Sequence, residues 1–244
     1  MTKTNIEWTE YTWNPVTGCD KVSPGCENCY AERMAQRLQA MGSARYENGF
    51  QVTLHEDKID EPLGWTKPRM VFVNSMSDMF HPQVPRRFID DVFDVMARAD
   101  RHIFQVLTKR PQRAAKVLAH RPIAENIWLG TSIETDQYAF RADHLRQIDV
   151  PVRFLSCEPL LGPIPSLDQK GIAWVIVGGE SGPVRRPIDA EWVRDLRDRT
   201  HEMGAAFFFK QWGGHIPKAG GRLLDGVEWT EWPPNTIRPQ VKSA

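Results

Sequence analysis

Residues 173–180 read AWVIVGGE, five consecutive apolar side chains that end abruptly on two glycines and a carboxylate. A strand with one wet face alternates apolar and polar residues, whereas a run apolar at every position has both faces buried, as in parallel strands covered by helices. MVFV at 70–73 and AFFF at 206–209 share that character. Working outward, short apolar, β-branched or aromatic runs recur at 11–16, 51–55, 70–74, 102–107, 126–131, 152–156, 173–177 and 205–209, and several precede amphipathic stretches. Helical periodicity is best at 31–41, 85–99, 113–120, 137–147 and 190–203; in the second of these Phe88, Val92, Val95 and Met96 share one face. Eight strand candidates interleaved with helices predict an α/β fold, a TIM-type (β/α) barrel of six to eight parallel strands, full or partly open. The barrel is expected over 1–212, with an N-terminal cysteine loop. Residues 213–244, with GGH, AGGR and WPPN, read as an irregular C-terminal extension.

The 244 residues are 41% hydrophobic and 25% charged, an ordinary globular balance with material for a large core. Lys plus Arg and Asp plus Glu both number 31, so no global basic field marks a nucleic-acid partner, and any such binding must be local. The opening MTKTNIEWTEYTWNP has no charged-then-apolar signal pattern, and no apolar run reaches the roughly 20 residues of a membrane span. A cytoplasmic protein without membrane contact is expected. Its four cysteines, three of them clustered, then favour metal or redox chemistry over a disulfide framework.

In barrels of this type the active site lies at the C-terminal ends of the strands. The residues just after the runs are consistently polar: His55, Asn74 and Asp78, Lys109 and Arg110, Glu134, Glu158, Glu180 and Ser181, then Lys210. Polar residues at strand ends occur in any protein, because loops begin there. NSMSD after MVFV and KQW after FFF nevertheless set functional groups directly against fully apolar runs, and a ring of carboxylates, amides and cations around one mouth suits a polar ligand. The catalytic candidates are Glu158, Lys109 and Lys210. Glu180, Ser181, Asn74, Asp78, Glu134 and His55 are the candidates for holding a cofactor.

Residues 18–32 read GCDKVSPGCENCYAE, which spaces Cys19, Cys26 and Cys29 by six and then two residues. Cys-x-x-Cys alone is shared by zinc sites and thiol redox sites. A closed zinc site needs a fourth protein ligand, which here would be Cys157 or a distant histidine, the nearest being His55. Three thiolates can instead hold a [4Fe–4S] cluster and leave one iron open, with Pro24-Gly25 turning the longer gap around it. Cluster, zinc and thiol redox are all compatible with the spacing. Cys157, in LSCEPL, reads as a buried strand-end thiol.

Three cysteines after the first strand of a (β/α) barrel, followed by an aromatic residue and a helix, resemble the radical S-adenosylmethionine superfamily. Its usual loop has gaps of three and two, so the first gap here is three residues longer. Nearly end to end, the chain also resembles a phage-associated three-Cys-motif family, the phage "Gp" proteins of unknown function, through GCDKVSPGCENCYAERMA, FVNSMSDMFH, FQVLTKRPQR, NIWLGTSIE, RFLSCEPLLGPI, WVIVGGESGP and FFFKQWG. The superfamily resemblance implies Cys19, Cys26 and Cys29 as cluster ligands and S-adenosylmethionine as cofactor, chelated by its amino and carboxylate groups. It implies an external electron donor and a 5′-deoxyadenosyl radical that abstracts hydrogen from substrate. In that superfamily a Gly-Gly-Glu element after the second strand binds the amino group. Here Gly178-Gly179-Glu180 follows the seventh run, and His55-Glu56 is the positional alternative.

The phage resemblance implies a nucleotide or nucleic-acid substrate. Lys109, Arg110 and Arg113, the pair Arg185-Arg186, and the aromatic rings of Tyr30 and Trp212 are the local features that suit one, although basic clusters are also ordinary solvated loops. Two other functions are compatible with the sequence: a zinc-stabilised nucleic-acid-binding or regulatory module without catalysis, and a hydrolase or lyase using Asp78, Glu134 and Glu158 as acid and base.

Overall fold

The computed structural model describes residues 2–216 and 219–234. Seven parallel strands run in chain order across one sheet: β1 (Tyr11–Trp13), β2 (Met70–Val73), β3 (Ile103–Thr108), β4 (Ile127–Ser132), β5 (Val152–Cys157), β6 (Trp174–Gly178) and β7 (Ala206–Gln211). Thr2–Lys3 adds an eighth, antiparallel strand outside β1. Because every crossover between neighbouring parallel strands has the same hand, sequential order puts the crossover helices on one face. Four helices do so: α2 (Arg86–Arg98), α3 (Pro111–Leu118), α4 (Arg141–Arg146) and α5 (Ala190–Glu202). Phe88, Ile89, Val92 and Met96 of α2, Ala114 and Val117 of α3, Leu145 of α4 and Val193 and Leu196 of α5 form one core with Val71, Val73, Phe104, Val106, Leu129, Leu155, Val175, Val177, Phe207 and Phe209. Asp189 caps α5 by accepting from the Glu191 backbone N–H at 2.9 Å.

The alternate side chains point to the other face, and they too are apolar. Met70, Phe72, Trp128, Phe154, Trp174, Ile176 and Phe208 pack there around Trp8, with Trp232 stacked on Trp174 at 4.8 Å. The Trp8 ring lies 4.7 Å from Phe72 of β2 and 6.4 Å from Trp174 of β6, so those two rings are within about 11 Å of each other. Four strand spacings in a flat sheet measure about 19 Å. The sheet therefore curves strongly around an indole supplied by the N-terminal segment, which explains why its strands read apolar on both faces.

No ladder joins β1 to β7 among the described residues; each edge is covered separately. Thr2–Lys3 covers β1, and the segment around Thr230 covers β7, with Phe209 N donating to Trp229 O at 2.9 Å and Glu231 N to Phe207 O at 3.1 Å. The C-terminal segment carries in addition a short antiparallel pair, Leu223–Leu224 with Val227–Glu228.

Four expectations change. The run at 51–55 is not a strand of the main sheet. Only Thr53–Leu54 is extended, paired antiparallel with Val16–Thr17, because its half-buried alternating pattern gives it a single apolar side. The helix expected at 31–41, α1 (Tyr30–Ala40), buries Ala31 and Ala35 in a separate cluster with Tyr46 and Met76 rather than against the sheet. The chain from 14 to 69 is thus a long excursion at the end of the sheet, not a simple crossover. Helix α3 starts earlier than expected because Pro111 suits the first turn, and the stretch 137–147 divides into the turn Asp136–Tyr138 and α4. No described helix is long and apolar enough to cross a membrane.

Candidate metal centre

The excursion carries Cys19, Cys26 and Cys29 across the C-terminal ends of the strands. Gly18 starts it: its φ of 85° and a space that would bring a Cβ to 2.1 Å of the Gln51 carbonyl oxygen admit only glycine there. Gly18 N donates to Met76 O at 2.9 Å, which ties the loop to the segment after β2. Pro24–Cys26 forms a single tight turn, and Cys29 is the N-cap residue of α1, its thiol making no capping bond. All three thiols are unpaired and half-buried.

Three sets of charged side chains fasten this loop, one from each neighbouring strand end. After β2, Asp78 receives four donors: Phe80 N and Thr108 Oγ1 on Oδ1, and Lys109 N and Arg110 Nη1 on Oδ2. Arg110 in turn donates to Cys19 Sγ at 3.4 Å and to Asp20 O at 3.2 Å, and His81 Nε2 lies 2.9 Å from Asp20 Oδ2. Burial, followed by the Asp78 carboxylate, pushes the Cys19 thiol up to about 11 despite the Arg110 charge.

After β4, the fully buried Glu134 carboxylate accepts from Ser23 Oγ at 2.7 Å and Arg141 Nη1 at 2.9 Å, and pairs with Lys109 Nζ at 3.2 Å. Arg141 also donates to Ser132 O and lies 4.3 Å over the Tyr138 ring. Burial alone would raise the Glu134 pKa, but Lys109 and Arg141 outweigh it and hold the carboxyl below the usual range. A Cβ on Gly25 would sit 2.5 Å from Glu134 Cγ and Oε1, so the turn rests directly on this carboxylate.

After β6, Glu180 binds Arg186 in a fork: Nε at 3.0 Å on Oε2 and Nη2 at 2.6 Å on Oε1. Arg186 reaches onward to Pro24 O at 3.0 Å and Glu27 Oε2 at 2.9 Å. Burial would raise Glu180, yet Arg186 and Asn28 depress it. On the concave face beneath, Lys210 Nζ and Glu158 Oε2 pair at 2.7 Å, and Ser156 Oγ is 3.5 Å from the other Glu158 oxygen. Burial opposes the Lys210 charge, but Glu158 more than offsets it and raises the pKa.

The structure thus gathers Asp78, Lys109, Glu134, Glu158, Glu180 and Lys210 around one mouth, and engages most of them in holding the cysteine loop. Ser181 accepts from Gln211 Nε2 at 2.8 Å, and its carbonyl accepts from Arg33. Asn74, at φ 61°, accepts from Val16 N through Oδ1, while its buried Nδ2 has no partner. His55 is 2.8 Å from Thr17 Oγ1, its pKa lowered chiefly by burial, and lies off the main sheet; the place after the second parallel strand belongs to Asn74 and Asp78. The cations Lys109, Arg110, Arg113 and Arg186 are paired within the protein rather than spread as a basic surface. Sequence reasoning missed Ser23 and Arg141 because neither stands directly after an apolar run. A groove of about 860 Å³ adjoins the site, bounded by Glu180, Arg185, Arg186, Trp212, His215 and Gly220.

The donor set suits a group that takes three thiolates. Cys157 is fully buried in the helix-side core, its thiol pushed far up by burial. Among the described residues no three His, Cys, Asp or Glu side chains converge as they would on one ion. Of the two donors beside the sulfurs, the Arg110 guanidinium reaches Cys19 and the Ser23 hydroxyl lies 3.8 Å from Cys26. Neither curated proteins nor solved structures give a match to this chain. A family model described as "Protein of unknown function (DUF5131)" matches residues 3–233, and the chain belongs to that family.

Proposed function

We propose that the protein is a radical S-adenosylmethionine-like iron–sulfur enzyme, with Cys19, Cys26 and Cys29 as ligands to a [4Fe–4S] cluster, acting on a nucleotide or a nucleic-acid base. The observation that carries this reading is the fastening of a three-thiol loop across the sheet's C-terminal end by Asp78–Arg110, Glu134 and Glu180–Arg186, while Cys157 is buried in the core. Three thiolates leave a cubane one open corner, and when bound it would supply both a low-potential electron and an iron site for a chelating cofactor. An external electron donor is then a required partner. The curved sheet is read in this account as a partly open barrel, its mouth roofed by the loop.

The protein's own groups divide the remaining work. Glu134 and Arg186 keep the loop rigid, which a site positioning reactive atoms requires. Lys210 and Glu158 present a cation and a carboxylate side by side below the loop, suited to orienting a zwitterionic or hydrogen-bonding ligand. The groove shares Glu180 and Arg186 with the loop, and Trp212 and Arg185 offer a ring and a cation to a base and a phosphate.

Anaerobic isolation followed by metal and sulfide analysis tests the proposal. Brown protein holding iron and sulfide, lost in each of C19A, C26A and C29A but kept in C157A, supports it. Colourless protein with one zinc per chain rejects it in favour of a zinc-stabilised module.

A further inference from the structure

We propose that Arg110 tunes the reduction potential of the group held by Cys19, raising it by donating a charge-assisted hydrogen bond to the Cys19 sulfur, with Asp78 and Thr108 aiming the guanidinium. The inference rests on the cluster reading above, in which Arg110 serves only to fasten the loop through Asp78.

The three sulfurs have unequal surroundings. Arg110 Nη1 lies 3.4 Å from Cys19 Sγ and 3.0 Å from Asp78 Oδ2. Among the described residues, the group hydrogen-bonded beside Cys26 is the neutral Ser23 hydroxyl, whose hydrogen goes to Glu134 at 2.7 Å. The thiol of Cys29 makes no capping bond to its own helix. Among the described residues, the charged donor thus reaches Cys19.

That donor is also immobilised at both ends. Arg110 N donates to Thr108 Oγ1 at 2.9 Å, and the same hydroxyl donates to Asp78 Oδ1 at 2.7 Å. Asp78 is only 7% exposed and Arg110 11%. An arginine in solution would lose much rotamer freedom on binding a sulfur, whereas this one has already lost it in the folded protein. Reduction adds negative charge that spreads onto the sulfurs, so a fixed cationic donor stabilises the reduced state more than the oxidised one. The potential rises, and the effect enters through Cys19 alone.

The experiment compares wild-type protein with R110Q, R110K and R113Q, each reconstituted anaerobically and titrated electrochemically with the reduced-cluster paramagnetic signal as readout. R113Q removes a cation from α3, the helix that Arg110 precedes, whose guanidinium goes to Val84 O instead of sulfur. The expected result is a more negative potential in R110Q than in both wild type and R113Q, with R110K between, at equal iron per chain. Equal potentials in R110Q and R113Q overturn the proposal while leaving the cluster intact. If R110Q does not retain iron, R110K decides: a wild-type potential there overturns the proposal. Zinc in place of iron in the wild type overturns both the proposal and the reading beneath it.

Discussion

Replacing Glu134 by alanine should be the most damaging single change at the mouth that leaves every cysteine in place. Its side chain is fully buried and joins three elements: the cysteine turn through Ser23, β3 through Lys109 and α4 through Arg141, itself only 4% exposed. Removing one partner of a buried pair leaves an uncompensated charge and costs about 3–5 kcal/mol. For a domain of this size, at about 2–4 °C per kcal/mol, the melting temperature should fall by roughly 6–20 °C. Because most of that loss is the stranded Arg141, the double variant E134A/R141A should be markedly less destabilised than the sum of the two single variants. Urea unfolding of wild type, both singles and the double gives the coupling directly. Additive losses, or an E134A midpoint equal to the wild type's, would refute the assignment of Glu134 as the hub of the loop.

Other outcomes follow from the same geometry. G25A should loosen the cysteine turn, seen as faster proteolysis within 20–29 and lower iron retention, since its Cβ would fall 2.5 Å from Glu134. G42A, with φ 75° and open space around it, should cost only about 1 kcal/mol of backbone strain and leave iron retention unchanged. W8A should destabilise by about 3–5 kcal/mol, because Trp8 fills the concave face between β2, β5 and β6; a smaller loss would mean that the sheet does not depend on this indole. The depressed Glu134 pKa gives a pH signature. The unfolded chain binds a proton near the ordinary value of 4.5 and the folded one only below it, so stability from this group is complete above that value and is lost as pH falls through the folded pKa. E134Q should therefore show a shallower loss of melting temperature between neutral pH and pH of about 3 than wild type does, and parallel curves would contradict the pairing.

The sheet was legible because burial on both faces leaves no polar position in WVIV, MVFV or AFFF, a pattern that short one-sided runs such as 51–55 do not share. What periodicity could not supply was the identity of the second cover. Trp8 and Trp232 come from segments without strand or helix periodicity, and only their packing against Phe72, Trp174 and Phe208 reveals the curvature. At the mouth, positions after the apolar runs located Asp78, Glu134, Glu158, Glu180 and Lys210, the last of which lies within β7. Their partners were less visible, since Ser23 and Arg141 act through folding contacts 111 and 7 residues away from Glu134 in the chain. Basic clusters in the sequence suggested a surface for phosphate. In the fold Lys109, Arg110 and Arg186 neutralise buried carboxylates instead, and Arg185 alone of that group stands exposed at the groove.

The central claim is an open iron beneath a roof of three cysteines. Electron paramagnetic resonance of the reconstituted, dithionite-reduced protein, recorded before and after addition of S-adenosylmethionine, tests it most directly. A reduced [4Fe–4S] signal whose shape changes on addition is the predicted result. A cluster signal indifferent to S-adenosylmethionine, or no iron signal in protein that carries zinc, would contradict it.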